Sequence, residues 1–511
     1  MMRMTMTSLT RVLCTASVSL ALMGAMASTA YAADTANVTA ATASADTTPT
    51  AASSAAPQVG LFARSLVEKG RYLATASDCI ACHTATGGRP MAGGLAIASP
   101  VGTIIASNIT PSKTHGIGNY TEQQFADALR KGVRADGANL YPAMPYTAYA
   151  TLSNDDIHAL YAYFMQGVTP VDTPTAATHL PFPMNIRLSM RIWNALFLND
   201  KPYVTDPSQS EEWNRGRYLV DGAAHCSTCH TPRGVLMQEK QDLSMAGAQV
   251  GPWYAPNITP DATHGIGTWT QEELVTYLKT GRLPGKAQAA GSMAEAITHS
   301  FRYLTDADVN AIALYMTHIP AIGDGVTQNS TTSSRFDQGK ASSDLAAFRG
   351  KGFEAGMASS NRGGVIFSAN CASCHGYNGQ GSEDGYYPSL FHNSATAGAN
   401  PNNLLATILY GVDRETTSGH VFMPSFGSQP GAVTNLSNED VAALANYVLT
   451  HYGNSAQAVT PADVAVIRQG GPHSNLLTMT RVGIGVGMVV VLIAIGSLLM
   501  RGRRKQGRAQ R

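Results

Sequence analysis

Cys79-Ile80-Ala81-Cys82-His83 returns as Cys226-Ser227-Thr228-Cys229-His230 and again as Cys371-Ala372-Ser373-Cys374-His375. Two thiols three positions apart share one face of a helical turn, and the next residue presents an imidazole from the same side. That arrangement suits covalent haem attachment: the sulfurs form thioethers with the vinyl groups and the imidazole takes the iron. A single Cys-x-x-Cys could equally be a dithiol redox site or half a zinc site. The chain has seven cysteines; Cys14 lies in an apolar N-terminal segment and the other six all fall inside the three motifs. Nothing is left over for disulfides, and three copies with no spare cysteine point to three covalently bound haems c.

Sequence around the first two motifs is duplicated. Arg71-Tyr72-Leu73 precedes the first motif and Arg217-Tyr218-Leu219 the second. Asn108-Ile109-Thr110-Pro111 matches Asn257-Ile258-Thr259-Pro260, and His115-Gly116-Ile117-Gly118 matches His264-Gly265-Ile266-Gly267. His83 and His230 are 147 positions apart, Asn108 and Asn257 149, which is the period of a whole domain and not of a solenoid. Helix signals recur at matching places. Thr121 to Arg130 carries Phe125 and Leu129 at i, i+4, and Glu272 to Lys279 repeats it. Ser153-Asn154-Asp155-Asp156 caps a helix running to Met165, Thr305-Asp306-Ala307-Asp308 one ending near His318, and Ser437-Asn438-Glu439-Asp440 one reaching about Thr450. No run of alternating strand residues stands out. The expected fold is all-α: three tandem class I-type cytochrome c domains over 58–180, 205–323 and 341–455, plus one C-terminal transmembrane helix. The third unit lacks the Asn-Ile-Thr-Pro stretch, and residues 324–344 read as a linker.

Haem iron with one histidine needs a second axial ligand or an open site. A thioether raises the potential and suits electron transfer. Position selects among the 20 methionines. Met144, in Pro142-Ala143-Met144-Pro145, is fixed by prolines. Met293 lies 149 positions further on, the same offset as the Asn-Ile-Thr-Pro match. Met423-Pro424 occupies the corresponding place in the shorter third unit. The expected iron ligands are therefore His83 with Met144, His230 with Met293, and His375 with Met423. Met91, Met237 and Met245 are the competitors, expected to pack or sit in loops. His115 and His264 could reach a propionate or simply serve a turn. His225 has no counterpart in the first unit, where Asp78 stands. Arg89 and Arg233 could pair with propionates or be solvated.

The termini carry targeting signals. Arg3 and Arg11, the apolar stretch Val12 to Met26 and Ala30-Tyr31-Ala32 read as a secretory signal peptide over 1–32, followed by a disordered Ala/Thr/Ser-rich stretch over 33–57. Residues 482–500 hold no charge and are long enough to cross a bilayer, about 30 Å at 1.5 Å per residue. Arg501, Arg503, Arg504, Lys505, Arg508 and Arg511 follow, so 501–511 is expected to be a cytoplasmic tail and the haem domains to face the periplasm from the inner membrane. Net charge is +1 with 14% charged residues, which offers no basic face for nucleic acid. No nucleophile–base set, phosphate-cradling loop or nicotinamide fingerprint appears, so no catalytic residue is expected.

With Tyr141-Pro142-Ala143-Met144-Pro145-Tyr146 and Glu212-Trp213-Asn214-Arg215-Gly216, these motifs make the chain resemble, over roughly 60–455, the triple-haem cytochrome c subunits of membrane-bound dehydrogenases of acetic acid bacteria. The resemblance implies a relay with no substrate chemistry of its own: a separate periplasmic catalytic subunit supplies electrons and ubiquinone in the membrane takes them. It implies the six iron ligands named above. The best-known members serve a quinoprotein alcohol dehydrogenase, the leading expectation; relatives serve flavin-dependent gluconate, sorbitol and fructose dehydrogenases or a molybdenum aldehyde dehydrogenase. A haem peroxidase or an oxidase-associated cytochrome c are the alternatives from other classes.

Overall fold

Helix starts in this chain are set by side chains that replace missing backbone acceptors. In a computed structural model, which describes residues 61–323 and 362–509, Thr121 accepts from the Gln124 amide while Gln124 reaches back to Thr121, and Thr270 and Glu273 do the same. Ser153, Thr305 and Ser437 accept from the amides of Asp156, Asp308 and Asp440. The expected signal peptide, the 33–57 stretch and the 324–344 linker lie outside the described residues, as do the start of the third unit and the side chains of the basic tail.

The main elements of the first unit are α1 (Leu61–Ala76), the motif helix α2 (Cys79–Cys82), the pair β1 (Ala96–Ser99) and β2 (Gly102–Ile105), α3 (Glu122–Lys131) and α4 (Asn154–Ala162). A connector helix, α5 (Ser189–Phe197), follows. The second unit has α6 (Glu211–Tyr218), the motif helix α7 (Ser227–His230), β3 (Ala248–Val250), β4 (Trp253–Ala255), α8 (Gln271–Thr280), β5 (Arg282–Leu283), β6 (Ala287–Gln288), α9 (Gly291–His299) and α10 (Asp306–Met316). The third has α11 (Arg362–Asn370), the motif helix α12 (Ala372–His375), α13 (Asn402–Tyr410), β7 (Val412–Thr416), β8 (Gly419–Met423) and α14 (Asn438–His451). Two more helices, α15 (Pro461–Arg468) and α16 (Leu476–Ala509), close the chain. Among the described residues the architecture is mostly helical, but four two-stranded antiparallel pairs depart from the all-α expectation. Each strand has at most five residues, too short to show as an alternating pattern.

One crossing recurs three times: α1 on α4, α6 on α10, α11 on α14. A glycine makes each crossing possible. A Cβ at Gly70, Gly216 or Gly363 would overlap the carbonyl of Ala159, Ala311 or Ala443 and press on the Cβ of Tyr163, Tyr315 or Tyr447. Backbone therefore meets backbone, and the flanking apolar residues close around it.

The first two units share one hydrophobic core, which runs from Leu73 and Leu160 to Leu219 and Ile312. Their contact is reciprocal. The Tyr72 hydroxyl donates to Asp308 Oδ2 (2.5 Å) and accepts from the Thr305 amide (3.2 Å). The Tyr218 hydroxyl donates to Asp156 Oδ2 and accepts from the Ser153 amide (3.0 Å). Arg215 forks onto Asp308 (2.7 Å for both bonds), and Lys69 reaches Asp156 at 2.6 Å. Residue i meets j′ while i′ meets j, the pattern of a two-fold dimer written within one chain. Asp156 and Asp308, whose amides donate to the caps Ser153 and Thr305, are the residues that hold the other unit's tyrosine.

The third unit has its own core around Phe367, Leu405, Leu409, Leu444 and Val464. It attaches to the second through Trp253, which packs against that core beside Tyr410, and through polar contacts. Asn403 exchanges two bonds of 2.9 Å with the Tyr254 backbone, the Ser394 amide donates to Lys286 O, and β7 packs on α9.

Candidate haem sites

All three motif histidines are oriented by the same bond. His83 Nδ1 donates to Ser107 O (2.7 Å), His230 Nδ1 to Pro256 O (2.7 Å), and His375 Nδ1 to Pro388 O (2.9 Å). An Nδ1–H fixed on a carbonyl puts the lone pair on Nε2, the tautomer that ligates iron. The loop after each histidine is tied alike: Gly93, Gly247 and Gly381 amides donate to the carbonyls of His83, His230 and His375. Burial holds His83 and His375 below the usual imidazole range and therefore neutral, as ligation requires.

Ser107 and Pro256 stand immediately before the duplicated Asn-Ile-Thr-Pro stretch, whose role now becomes readable. Asn108 Oδ1 accepts from the amide (2.9 Å) and hydroxyl (2.7 Å) of Thr110, while its Nδ2 donates to Val171 O (2.8 Å). Asn257 does the same with Thr259 and Ile322 O. The asparagine thus ties the carbonyl that aims the histidine to the segment beyond the last helix. His115 and His264 sit in the following turn; a Cβ at Gly116 or Gly265 would overlap the carbonyl of Thr110 or Thr259, so the His-Gly pair serves a tight turn.

Burial pushes the thiols of Cys79, Cys226 and Cys371 up to about 12 and that of Cys82 up to about 11.

In the third unit one cavity gathers Cys371, Cys374, His375 and Met423. It encloses about 1180 Å³ of atom-free space, its open mouth included, and apolar side chains such as Phe367, Leu404 and Phe426 line it. Two thiols, an imidazole held through Nδ1 on a carbonyl and a methionine sulfur in one apolar pocket fit a haem. Met144 and Met293 lie half-buried at the margin of the core that also holds Cys79 and Cys226. Met91 and Met245 are buried, and each takes an amide from the start of its own Ile-Thr-Pro run (Ile109, Ile258). Arg233 is occupied by Glu239 (3.6 Å) and Thr228 O, and Arg89 is exposed.

The first two motifs meet at a junction where Cys229 acts on the ionisation of Cys82 and Asp78 acts on both. Asp78 has φ 50° and is enclosed, and burial pushes its carboxyl up to about 8. His225, with φ 39°, stacks edge-on to Tyr149 at 5.7 Å across the same junction. Sequence reasoning left both without a role. The one signal was that each stands directly before a motif, in a left-handed conformation no pattern announces.

A cytochrome c family profile matches residues 67–167, 214–320 and 360–451, one match around each motif. The chain is 47% identical over 453 residues to the fructose dehydrogenase cytochrome subunit of Gluconobacter japonicus, covering 87% of this chain and 92% of that one. It is 38% identical over 415 residues to the cytochrome c subunit of the alcohol dehydrogenase (quinone) of Gluconobacter oxydans, with 80% and 83% covered. It is 36% identical over 417 residues to the gluconate 2-dehydrogenase cytochrome c subunit of Pantoea cypripedii, with 79% and 90% covered. Three motifs with one histidine geometry, each inside its own family match, place this chain in the cytochrome c family.

Proposed function

We propose that the chain is the electron-relay subunit of a membrane-bound dehydrogenase complex, with haem c attached at Cys79/Cys82, Cys226/Cys229 and Cys371/Cys374. His83, His230 and His375 are the proximal iron ligands, and Met144, Met293 and Met423 the distal ones. Bound haem supplies the one-electron iron couple. The chain's part is positioning: it fixes each imidazole tautomer on a backbone carbonyl, keeps the surroundings apolar, and sets the three sites at fixed places. The observation that carries this reading is the convergence of Cys371, Cys374, His375 and Met423 on one apolar cavity.

The electron donor is a separate periplasmic catalytic subunit and the acceptor ubiquinone. The 47% and 38% identities favour a donor of the fructose dehydrogenase kind over the alcohol dehydrogenase kind. Leu476–Met500, apolar and uncovered by the rest of the chain, anchors it in the inner membrane with the basic tail inside. The connector helix supports that placement. Arg481, near the start of α16, donates to Phe182 O at 3.0 Å, and beside it Leu188, Ile192 and Leu196 are exposed at i, i+4, i+8. An uncovered apolar stripe next to the root of a span belongs on the lipid surface.

Haem counting on the detergent-solubilised chain tests the assignment, with three per chain expected. Alanine at Met144, Met293 or Met423 turns one low-spin centre high-spin and leaves two. A count below three, or a methionine variant with an unchanged spectrum, defeats it. Copurification from membranes names the partner: a flavoprotein supports the fructose type, a quinoprotein the alcohol type.

A further inference from the structure

Arg414 on β7 is 1% exposed, among the largest fully buried side chains. Guanidinium stays charged in proteins, so an interior arginine needs an anion. Among the described residues no carboxylate reaches it. It donates to Ala289 O and weakly to Gln288 Oε1 (3.3 Å), and its buried Nε has no hydrogen-bond partner. The ionisable groups that act on it are Tyr277 and Arg282 of the second unit, and Arg282 adds positive charge. On its own hairpin Asp413 is held by His420 (2.8 Å) and Glu415 by Arg302 (3.6 Å). Arg414 lines the cavity of Cys371, Cys374, His375 and Met423, and so do Gln288, Ala289 and Ala290 of the second unit.

We infer that Arg414 binds a propionate of the haem attached at Cys371 and Cys374, and that this contact fastens that haem to the loop before α9. The inference rests on haem attachment at the third motif, as proposed above. A porphyrin of this kind offers two anions, its propionates, and the remaining guanidinium donors match a carboxylate fork. Arginines that follow the helix-ending glycines of the other units, Gly132 and Gly281, are spent differently. Arg134, just after Gly132, pairs with Asp136 at 2.6 Å on the surface, and Arg282, just after Gly281, donates to Gly385 O at 2.8 Å. Among the described residues Arg414 is the one arginine in the buried class, and it stands at the wall of the third site. α9 bears Met293, so the same contact joins the third haem pocket to the distal side of the second.

The test uses the full haem-loaded chain in detergent. In Arg414→Gln, three haems per chain remain and one of three reductive waves moves to lower potential, because a buried cation favours the added electron. That wave also gains a pH dependence near neutrality, since the propionate is no longer held ionised. The other two waves stay in place. Arg414→Lys keeps the charge but loses the fork, so the haem propionate bending bands in the resonance Raman spectrum shift while the potentials stay close to wild type. A fully loaded Arg414→Gln with three unmoved, pH-independent waves overturns the inference, and so does one in which all three waves shift together. If Arg414→Gln does not load, unchanged propionate bands in Arg414→Lys overturn it. Fewer than three haems in the wild type would instead defeat the attachment reading.

Discussion

The duplicated pair and the third unit reach one histidine geometry by different routes. In the pair, an Asn-Ile-Thr-Pro stretch delivers the carbonyls of Ser107 and Pro256 to the imidazoles. In the third unit Pro388 delivers the carbonyl from a loop in which the Tyr387 carbonyl takes the Ser382 amide and Leu390 bonds back to Gly379. What is common to all three is the motif, the glycine crossing and the loop bond back to the histidine carbonyl. The scaffold that presents the acceptor is free to change. The pair also shares a single core and a reciprocal tyrosine–aspartate lock, whereas the third unit keeps its own core and joins through Trp253, polar contacts and one buried arginine.

The lock is the strongest way to break that contrast. Asp156→Ala or Asp308→Ala strips a buried acceptor from Tyr218 or Tyr72 and from Lys69 or Arg215. Each is expected to cost about 3 kcal/mol, the low end for a broken buried pair because both cations keep a route to solvent. Denaturant unfolding should show the first two units destabilised together and the third unmoved. The lock is also acid-sensitive. Burial pushes Asp308 up, but the Arg215 and Tyr72 bonds outweigh it and hold the carboxyl below its usual range. Its contribution is therefore present at neutral pH and lost as pH falls through the folded value. A pair that unfolds no earlier than the third unit in acid would count against it. The glycine crossings give the converse test, of what is shared. Alanine at Gly70, Gly216 or Gly363 should cost about 2 kcal/mol in every unit, since each helix must back away from a carbonyl.

Much of this was legible. Cysteine counting marked three motifs whose histidines share one hydrogen-bond geometry, the repeat offsets matched the first two, and cap residues fixed helix starts to within a residue. The helix ends were less exact: the segment from Ser153 turns to π-helix at Tyr163, short of the expected Met165. The lock was invisible although its residues were on view. Arg-Tyr-Leu and the aspartates after the caps stand in the sequence as repeats, but Tyr72 meets Asp308 across 236 positions, and no local pattern encodes a contact between units. Arg414 was missed for the opposite reason. An arginine in Val412–Thr416 reads as a surface residue until burial and the missing acid are seen together.

Asn108→Ala sharpens the comparison at smaller cost. It removes the acceptor of Thr110 and the bond to Val171, about 1–2 kcal/mol, and loosens the carbonyl that aims His83. One haem spectrum should broaden in Asn108→Ala and another in Asn257→Ala, and neither should be that of the third site, whose acceptor hangs on Pro388. Electron paramagnetic resonance of the three low-spin signals separates them; a change in all three would mean that the asparagine supports the whole pair and not the imidazole.

A different kind of effect, one that depends on pH, is expected at the junction of the first two motifs. Burial pushes Asp78 up to about 8, His299 opposing and Glu295 adding. An acid whose folded value lies above its unfolded one penalises the fold as pH rises between the two, so stability is fullest below about pH 4 and the penalty is complete above about pH 8. Asp78→Asn keeps a residue that tolerates φ 50° and removes the charge. Its melting temperature should exceed wild type at pH 8 and converge with it as pH approaches 4. The third motif, preceded by Asn370, already has no such charge, and alanine there should leave the pH profile unchanged.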